Sequence, residues 1–368
     1  MNKICCIFNT APHYRDLIYH LIDEELHADF YIGDSSEKIK LMNYNVLKGY
    51  KATIRTITLL KPFYWQKGVV GLSKKKYQTY IITGEFFCLS TWLFLALCKL
   101  LRKRTVVWTH GWYGRETLLK KMVKHIFFSL STDILLYGEY AKQLMVKEGV
   151  NPKKLHVIAN SLNYDEQCEI RKSLRQSNLY ADHFHNDCPT LIFTGRLTKV
   201  KRLDLLIKAY SYLKKSGICL NLVLVGNEMP DFHIKEILQQ ENVSDSVWLF
   251  GACYNEQQLA ELFYNATVCV SPGNVGLTAV HAFTYGCPVI THNNFSNQMP
   301  EFEIIEEGVT GCFFQENNWE SLCSSIKNWI EYSSDKRESI RRSCYKLIDT
   351  KYNPHYQLCI LKEVLNVY

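Results

Sequence analysis

The sequence predicts an α/β protein made of two doubly wound domains, each a parallel sheet with helices on both faces. Short apolar, β-rich runs alternate with helical stretches along the chain. The runs fall into two series separated by a polar stretch. At 368 residues, the chain also exceeds the size that one core usually reaches. We therefore expect two such domains facing across a cleft, with ligands at the carboxyl ends of the strands.

The strand runs divide the chain into an N-terminal domain at 1–165, a linker at 166–188, a C-terminal domain at 189–350 and a last helix at 351–368. The most apolar run, 86–101, is too short for a bilayer span and is predicted as a buried helix. The predicted strands are 3–8, 28–33, 53–60, 79–83, 105–109, 133–137 and 155–158, then 190–195, 221–225, 246–250, 268–271, 288–291 and 312–314.

Positive charge is concentrated in the first half of the chain. Residues 1–165 hold 24 Lys and Arg against 13 Asp and Glu, whereas the remainder holds 19 against 23. A predicted helix there mixes apolar and basic residues, which indicates either an anionic membrane surface as a partner or a plain domain helix with a solvated face. The nucleic-acid motifs are absent from the sequence, so nucleic acid is not expected as a partner. The helix contains Leu118, Leu119, Met122, Ile126 and Phe127 among Lys120, Lys121, Lys124 and His125.

The fourteen cysteines show no CxxC spacing and mostly fall in apolar runs, Cys219 among them, which predicts buried reduced thiols. One stretch, ADHFHNDC, has metal-ligand residue types at His183, His185, Asp187 and Cys188, but its polar setting favours a linker over a metal site. The first apolar run of the chain is too short for a signal peptide, so a cytoplasmic location is expected.

The segment SPGNVGLTAVHAFTYGCPVI at 271–290 predicts a strand end, a glycine turn, a helix and a second strand. Such a turn directs backbone N–H groups and a helix N-terminus at one spot, which suits a phosphate, although it also occurs for packing alone. Upstream, Arg196 and Lys201 lie at the start of another helix, where the helix dipole disfavours cations. Either they are solvated or an anion, such as a diphosphate, compensates them.

Six segments together resemble one known family. GRLTKVKRLDLLIKAY at 195–210, NLVLVG at 221–226, VWLFGACYNEQQLAELFYNATVCVSP at 247–272 and GLTAVHAFTYGCPVI at 276–290 are similar to the C-terminal half of a family 4 glycosyltransferase of the GT-B fold. TVVWTHGWYG at 105–114 and KLHVIANSLNYDE at 154–166 resemble its acceptor domain and interdomain strand. The likeness covers nearly the whole chain in the family's order.

The resemblance implies a retaining, metal-independent transferase that moves a sugar from a UDP- or GDP-type donor to a lipid-linked or surface-polysaccharide acceptor. It implies no cofactor besides that co-substrate, and a last helix that returns to the first domain. The sequence contains no DxD motif. By matching the family's motifs, the catalytic residues are His110, Arg196 and Lys201, and the donor-binding residues are Gly195, Gly226, Gly251, Ala252, Cys253, Gly273, Asn274, Val275, Gly276, Leu277, His281 and Glu301.

The family's paired glutamates, eight residues apart, are replaced by Gly273 and His281. His281 is expected to bond a ribose hydroxyl, and the N–H groups of Asn274 and Val275 to bind the donor sugar. This departure keeps two alternatives open: a nucleotide-sugar epimerase or hydrolase of the same fold, and a non-catalytic nucleotide-binding subunit.

The first strand is followed by NTAPHYR, which lacks the family's glycines. His13, Tyr14 and Arg15 are therefore expected to line the acceptor site. Glu116 is either an acceptor contact or a helix-terminal charge. Asn160 matches a position at the hinge, although a turn explains it equally well.

Overall fold

The computed structural model describes residues 4–34, 40–230 and 232–367. Lys3, in the first predicted strand, and Tyr368, in the predicted last helix, lie outside these ranges. The chain divides into two compact units. The first unit comprises Met1–Asn163 and Asn353–Tyr368, and the second comprises Tyr164–Tyr352.

The strands lie in two large sheets and one small one. They are β1 (Ile4–Phe8), β2 (Asp29–Gly33), β3 (Tyr50–Ile54), β4 (Thr56–Leu60), β5 (Phe63–Gln66), β6 (Thr79–Thr83), β7 (Arg104–Thr109), β8 (Asp133–Leu136), β9 (Leu155–Val157), β10 (Thr190–Thr194), β11 (Asn221–Val225), β12 (Val247–Gly251), β13 (Val268–Ser271), β14 (Val289–His292) and β15 (Gly311–Phe314).

None of the helices in the described ranges is both long and apolar enough to cross a bilayer. The helices are α1 (Asp16–Leu26), α2 (Val69–Leu72), α3 (Leu89–Leu100), α4 (Leu118–Ser129), α5 (Glu139–Lys147), α6 (Tyr164–Ser173), α7 (Leu179–Phe184), α8 (Leu203–Lys215), α9 (Ile234–Gln240), α10 (Glu256–Asn265), α11 (Thr278–Thr284), α12 (Trp319–Ser333), α13 (Arg337–Thr350) and α14 (Pro354–Leu365).

The first unit is built on a seven-stranded parallel sheet in the order β3-β2-β1-β6-β7-β8-β9. Every residue of β1 and of β8 is buried, as expected of strands covered on both faces. One core lies between the sheet and helices α1 and α14, and the other lies under α3 and α4. The last helix of the chain thus packs in the first unit, against α1.

The second unit contains a six-stranded parallel sheet in the order β12-β11-β10-β13-β14-β15. The central neighbours β10 and β13 are not consecutive in the chain, so the strand order reverses between them. In open parallel sheets, ligands bind at this reversal, outside the carboxyl ends of the strands. Helix α8 buries Leu203, Leu206, Ile207 and Tyr210 against the sheet, as their helical spacing predicts.

The predicted strand 53–60 is two strands in the structure. β3 joins the parallel sheet, and β4 leaves it to form an antiparallel hairpin with β5 that the sequence did not indicate. The chain turns between them, where the Asp34 carboxylate accepts a hydrogen bond from the N–H of Thr56. Ile57, Leu59 and Leu60 are exposed, so the run that suggested one buried strand is largely a surface feature.

The predicted linker 166–188 contains most of α6 and all of α7. The buried Tyr180 donates a hydrogen bond to the carbonyl of Leu262, which fastens α7 to the second unit. At the end of this segment Cys188 forms a disulfide with Cys219, so the expectation of a reduced thiol is wrong for Cys219. The other twelve cysteines are free thiols.

Candidate functional site

Three strands of the second sheet end in glycines at the same edge. Gly195, Gly226 and Gly251 end or follow β10, β11 and β12, and all three have positive φ. A Cβ atom on Gly226 would lie 1.8 Å from the carbonyl oxygen of Gly195, so only glycine permits this backbone approach. The glycines therefore leave a shallow backbone surface at the carboxyl edge of the sheet.

The predicted glycine turn after β13 packs directly on the turn that holds Lys201. The N–H of Gly273 donates to the carbonyl of Lys201 at 3.0 Å, and a Cβ on Gly273 would lie 2.1 Å from the carbonyl oxygen of Val200. The Lys201 ammonium donates to the carbonyl of Asn274 at 2.6 Å and to its side-chain oxygen at 2.9 Å. The structure thus brings together Lys201 and the turn, which lie more than seventy residues apart in sequence.

The charges around Lys201 favour an anionic ligand. Burial lowers the pKa of Lys201 to about 8, the Glu301 carboxylate opposes this decrease, and the charge of Arg196 adds to it. Arg196 is exposed and forms no hydrogen bond or ion pair with the residues that the structure describes. A diphosphate beside this pair would relieve the unfavourable burial of the ammonium.

Gln298 holds the turn in place, a role that no sequence pattern indicated. Its Oε1 accepts a hydrogen bond from the N–H of Val275 at 2.8 Å, and its Nε2 donates to Thr291 Oγ1 and to the carbonyl of His292, both at 2.9 Å. The Val275 N–H is therefore already bonded, contrary to the expectation that it binds the donor sugar. Helix α11 has only seven residues, so its dipole adds little here.

His281 is engaged within the second unit. Its Nε2 lies 2.7 Å from Glu256 Oε1, which also accepts hydrogen bonds from Tyr285 at 2.6 Å and Gln167 at 2.8 Å. Burial raises the pKa of Glu256, but these hydrogen bonds and the charge of His281 lower it by more, so that the pKa is about 2. One ring nitrogen of His281, which was expected to bond a ribose hydroxyl, is thus bonded to a carboxylate that the sequence did not single out.

The remaining predicted donor residues lie along the same edge. Ala252 is exposed just after β12, and the Cys253 thiol bonds the carbonyl of Asn255 and the side chain of Gln258. Gly276 and Leu277 form the end of the turn, with Leu277 as the N-cap of α11. These four residues lie where they could line a site at the carboxyl edge of the sheet, but their positions do not identify a ligand.

A second candidate site is a cavity of about 260 Å³ at the carboxyl ends of β1, β6 and β7, entirely within the first unit. Tyr14 and Arg15, expected at the acceptor site, line it together with His110, which was expected to be catalytic. Burial lowers the pKa of His110 to about 4, and the charges of Arg15 and Lys124 act in the same direction. His110 is therefore a neutral imidazole near pH 7, able to donate from one nitrogen and accept at the other. Eight aromatic residues are part of its walls: Phe8, Tyr14, Tyr19, Phe86, Trp108, Tyr113, Phe128 and Tyr137.

Two predicted acceptor residues lie elsewhere. Glu116 is buried and forms an ion pair with the buried Lys124 at 2.8 Å, while accepting hydrogen bonds from the N–H groups of Tyr113 and Gly114. Its carboxylate therefore shapes the loop beside the cavity rather than facing a ligand. His13 is exposed, and its ring nitrogen lies 3.0 Å from the carbonyl of Lys40, outside the cavity walls.

Among the described residues, no group of three or more His, Cys, Asp or Glu is arranged to hold a metal ion. In the stretch with metal-ligand residue types, Cys188 is in the disulfide and the His183 ring stacks on Trp248 at 3.8 Å. Two of the four residues of this stretch, His183 and Cys188, are thus engaged in other contacts.

The family model described as "Glycosyl transferases group 1" matches residues 176–347. A comparison with curated proteins found no match. Among solved structures, Anabaena Alr3699/HepE in complex with UDP is similar over 100% of both chains, with TM-score 0.75 and 14% identity. A glycosyltransferase from Rickettsia africae ESF-5 (TM-score 0.73, 16% identity) and the lipopolysaccharide outer core galactosyltransferase WaaB (0.72, 13%) are also similar over 100% of both chains.

At these identities the structural likeness establishes the fold, which is the GT-B fold expected from the sequence. The family match falls on the unit that holds Lys201 and the glycine turn. Residues 176–347 are thus similar to the glycosyl transferases group 1 family, and the chain has the GT-B fold.

Proposed function

We propose that this protein transfers a sugar, with retention of configuration and without a metal ion, from a UDP-type nucleotide sugar to a hydroxyl of a lipid-linked or surface-polysaccharide acceptor. The observation that carries the proposal is the Lys201 ammonium bonded to the glycine turn at Asn274, with Arg196 beside it. The choice of UDP is supported by HepE, whose structures contain UDP, UDP with glucose, or UDP-glucose.

The proposed reaction breaks the bond between the sugar C1 and the diphosphate oxygen while the acceptor oxygen bonds C1 on the same face. The hydroxyl proton passes to the departing phosphate oxygen. Negative charge grows on the diphosphate, and Lys201 and Arg196 would stabilise it. A single preorganised donor of this kind contributes about 3–4 kcal/mol in known oxyanion sites. These two cations would supply the charge that a metal supplies elsewhere.

The donor assignment is tested by thermal shift with UDP, GDP, ADP, CMP and their common sugars. A ligand at a hundredfold excess over its dissociation constant stabilises by about 2.7 kcal/mol, which a melting curve resolves. We expect UDP to stabilise the wild type and Lys199→Ala, which removes an exposed lysine from the same turn. Arg196→Ala and Lys201→Ala should lose most of the shift. Unchanged shifts in both variants would retire the phosphate-binding assignment.

Turnover distinguishes the remaining alternatives. We expect donor consumption that requires an acceptor, that persists in excess EDTA, and that gives a product with the anomeric configuration of the donor by NMR. Consumption without an acceptor would indicate an epimerase or hydrolase instead. Nucleotide binding without turnover would indicate a non-catalytic subunit, the outcome consistent with His281 and Gly273 replacing the paired carboxylates.

A membrane location of the acceptor is supported by helix α4. Leu118, Leu119, Met122 and Ile126 are at least half exposed on it, next to the exposed Lys120 and His125. Lys124 and Phe127, which the sequence placed on the same surface, are buried instead. The exposed set is the residue pattern of an interfacial helix, and the excess of positive charge in residues 1–165 favours anionic lipid.

A further inference from the structure

The cavity of the first unit holds one guanidinium among aromatic rings. The Arg15 guanidinium carbon lies 5.1 Å from the ring centre of Tyr137 and 5.9 Å from that of Trp108. Its Nη2 donates to the Asn160 side-chain oxygen at 3.2 Å, which fixes its position. Arg15 is therefore held in one place in the cavity wall.

The two cations of the cavity are balanced differently. The Lys124 ammonium is paired with Glu116 and is also favoured by the charge of Glu85, another wall residue. Arg15 has no carboxylate within ion-pair distance among the residues that the structure describes. Burial lowers the pKa of Arg15, but Tyr137, Tyr19 and Tyr14 raise it by more, so the guanidinium stays charged. A partly buried cation with only neutral partners favours an anion supplied by a ligand.

The size and walls of the cavity indicate the rest of that ligand. About 260 Å³ is below the range of roughly 300–1,000 Å³ that holds drug-sized molecules, so a single ring fits best. Aromatic faces pack against the C–H faces of a sugar ring, while His110, Thr83 and Thr109 lie in the wall with groups that bond hydroxyls. An anionic monosaccharide unit combines both features.

We propose that this cavity binds an acidic sugar unit of the acceptor, one that carries a carboxylate or a phosphate, and that Arg15 pairs with this anionic group. The assignment of the sugar to the acceptor rests on the proposed function. The preference for a negative charge rests on the cavity alone.

The preference is measured by ligand-observed NMR titration of the full chain with methyl β-D-glucuronide and with methyl β-D-glucoside, which differ in the carboxylate. We expect the glucuronide to bind about tenfold or more tightly, the ratio that one charge-assisted hydrogen bond provides. Glucose 6-phosphate in a third titration shows whether a phosphate replaces the carboxylate. Equal affinities for both charged sugars and the glucoside would overturn the proposal.

Two variants test the residue. Arg15→Gln should bind the charged sugars no better than the glucoside, whereas Arg15→Lys, which retains the charge but not the planar fork, should keep part of the preference. Arg55→Gln, which removes an exposed arginine of the same unit, should behave as the wild type. A preference that survives in Arg15→Gln contradicts the proposal. If Arg15→Gln does not fold, Arg15→Lys decides. An affinity ratio between glucuronide and glucoside that falls less than twofold in Arg15→Lys would contradict the proposal.

Thermal shift with UDP separates this proposal from the proposed function. We expect Arg15→Gln to keep the wild-type UDP shift, because the guanidinium serves the sugar in the first unit. Loss of that shift would assign Arg15 to the nucleotide and overturn the proposal. If UDP fails to stabilise even the wild type, the donor assignment fails, while the comparison of glucuronide with glucoside still decides the charge preference.

Discussion

Lys201 is a residue whose burial opposes the stability of the folded chain. Its pKa in the folded chain, about 8, is below the ordinary lysine value because its charged form is buried. The unfolded chain therefore binds more protons between pH 8 and about 10.5, and stability rises with pH across this window. At pH 7 the folded protein carries an unfavourable buried charge.

We predict that Lys201→Met raises the melting temperature at pH 7 while abolishing the UDP shift. Removing the buried ammonium should stabilise the second unit by about 1 kcal/mol, or about 2–4 °C. Lys199→Met, in the same turn but exposed, should leave both quantities unchanged. Differential scanning calorimetry with and without UDP measures them. A decrease in melting temperature for Lys201→Met would mean that the bonds to Asn274 outweigh the cost of burial.

His110 gives a second residue-scale prediction, with the same sign but in an acidic pH range. Its pKa of about 4 lies below the ordinary value, so the unfolded chain binds more protons between pH 6.5 and 4, and stability falls as pH falls through that range. We predict that His110→Asn, which keeps a donor and an acceptor, flattens this part of the stability curve. Urea titrations at pH 4.5 and 7 measure it, with His125→Asn, at an exposed position of the same unit, as control. The same slope in both variants would contradict the lowered pKa of the half-buried His110.

At the scale of elements, Glu256 links three helices. Through His281, Tyr285 and Gln167, its carboxylate connects α10 with α11 and α6. Because the pKa of Glu256 is about 2, the stability that its charged carboxylate contributes is fully present above pH 4.5 and is lost as pH falls through 2.

We predict that Glu256→Gln costs about 1–3 kcal/mol at pH 7, the range for hydrogen bonds to a charged group that is partly exposed. Glu261→Gln, at an exposed position of the same helix, should cost less than about 0.5 kcal/mol. The difference between the two variants in the free energy of unfolding, measured by chemical denaturation, should become smaller as pH falls below 4.5. A Glu256→Gln variant as stable as the Glu261→Gln variant would show that the network contributes no net stability.

Helix α4 carries the prediction for membrane binding. Leu118→Ser with Met122→Ser removes two exposed apolar side chains, each worth about 1.5–3 kcal/mol when fully buried, so binding to vesicles should weaken at least about tenfold. Co-sedimentation with phosphatidylcholine vesicles that contain about 30% phosphatidylglycerol measures this binding. Wild-type binding should also fall with added salt.

The matched control for α4 is Val46→Ser, which removes an exposed apolar side chain of the first unit away from α4. Its neighbour Leu47 belongs to the core that contains α1, not to the core under α4. It should bind vesicles as the wild type does. Equal binding of all variants, or no preference for anionic lipid, would remove α4 as a membrane contact.

The sequence was most informative where local pattern and packing agree. Buried strands such as β10 and β11 and the amphipathic helix α8 were predictable, because their apolar periodicity is what the core requires. That Lys201 and the glycine turn belong to one site was expected from the family resemblance. The hairpin of β4 and β5 was missed, since its β-branched residues serve a surface strand.

Contacts between side chains distant in sequence were not predictable. Nothing in the local sequence indicates that Gln298 occupies the N–H of Val275, or that Glu256 pairs with His281. Likewise, Glu116 reads as a helix-terminal charge, and only the fold brings Lys124 to it. Such pairs depend on which strands become neighbours, and hydrophobic periodicity does not encode that order.

At the scale of the whole molecule, the last helix completes the first unit from the far end of the chain. Leu358, Leu361, Val364 and Leu365 of α14 are buried in the core that contains α1. Gln357 donates to the carbonyl of Ala159 at 2.9 Å and accepts from Ser161 at 2.7 Å. These contacts make the first unit dependent on residues that follow the entire second unit in sequence.

We predict that deleting residues 353–368 unfolds or strongly loosens the first unit and leaves the core of the second unit intact. Four buried apolar side chains at about 1.5–3 kcal/mol each are comparable to the 5–15 kcal/mol that stabilises a typical domain. Hydrogen–deuterium exchange should show α1 unprotected and β10 and β11 still protected. Leu361→Ala in the full chain, with about 2–5 kcal/mol lost, should give a milder form of the same pattern. Full protection of α1 in both proteins would show that the first unit folds without its last helix.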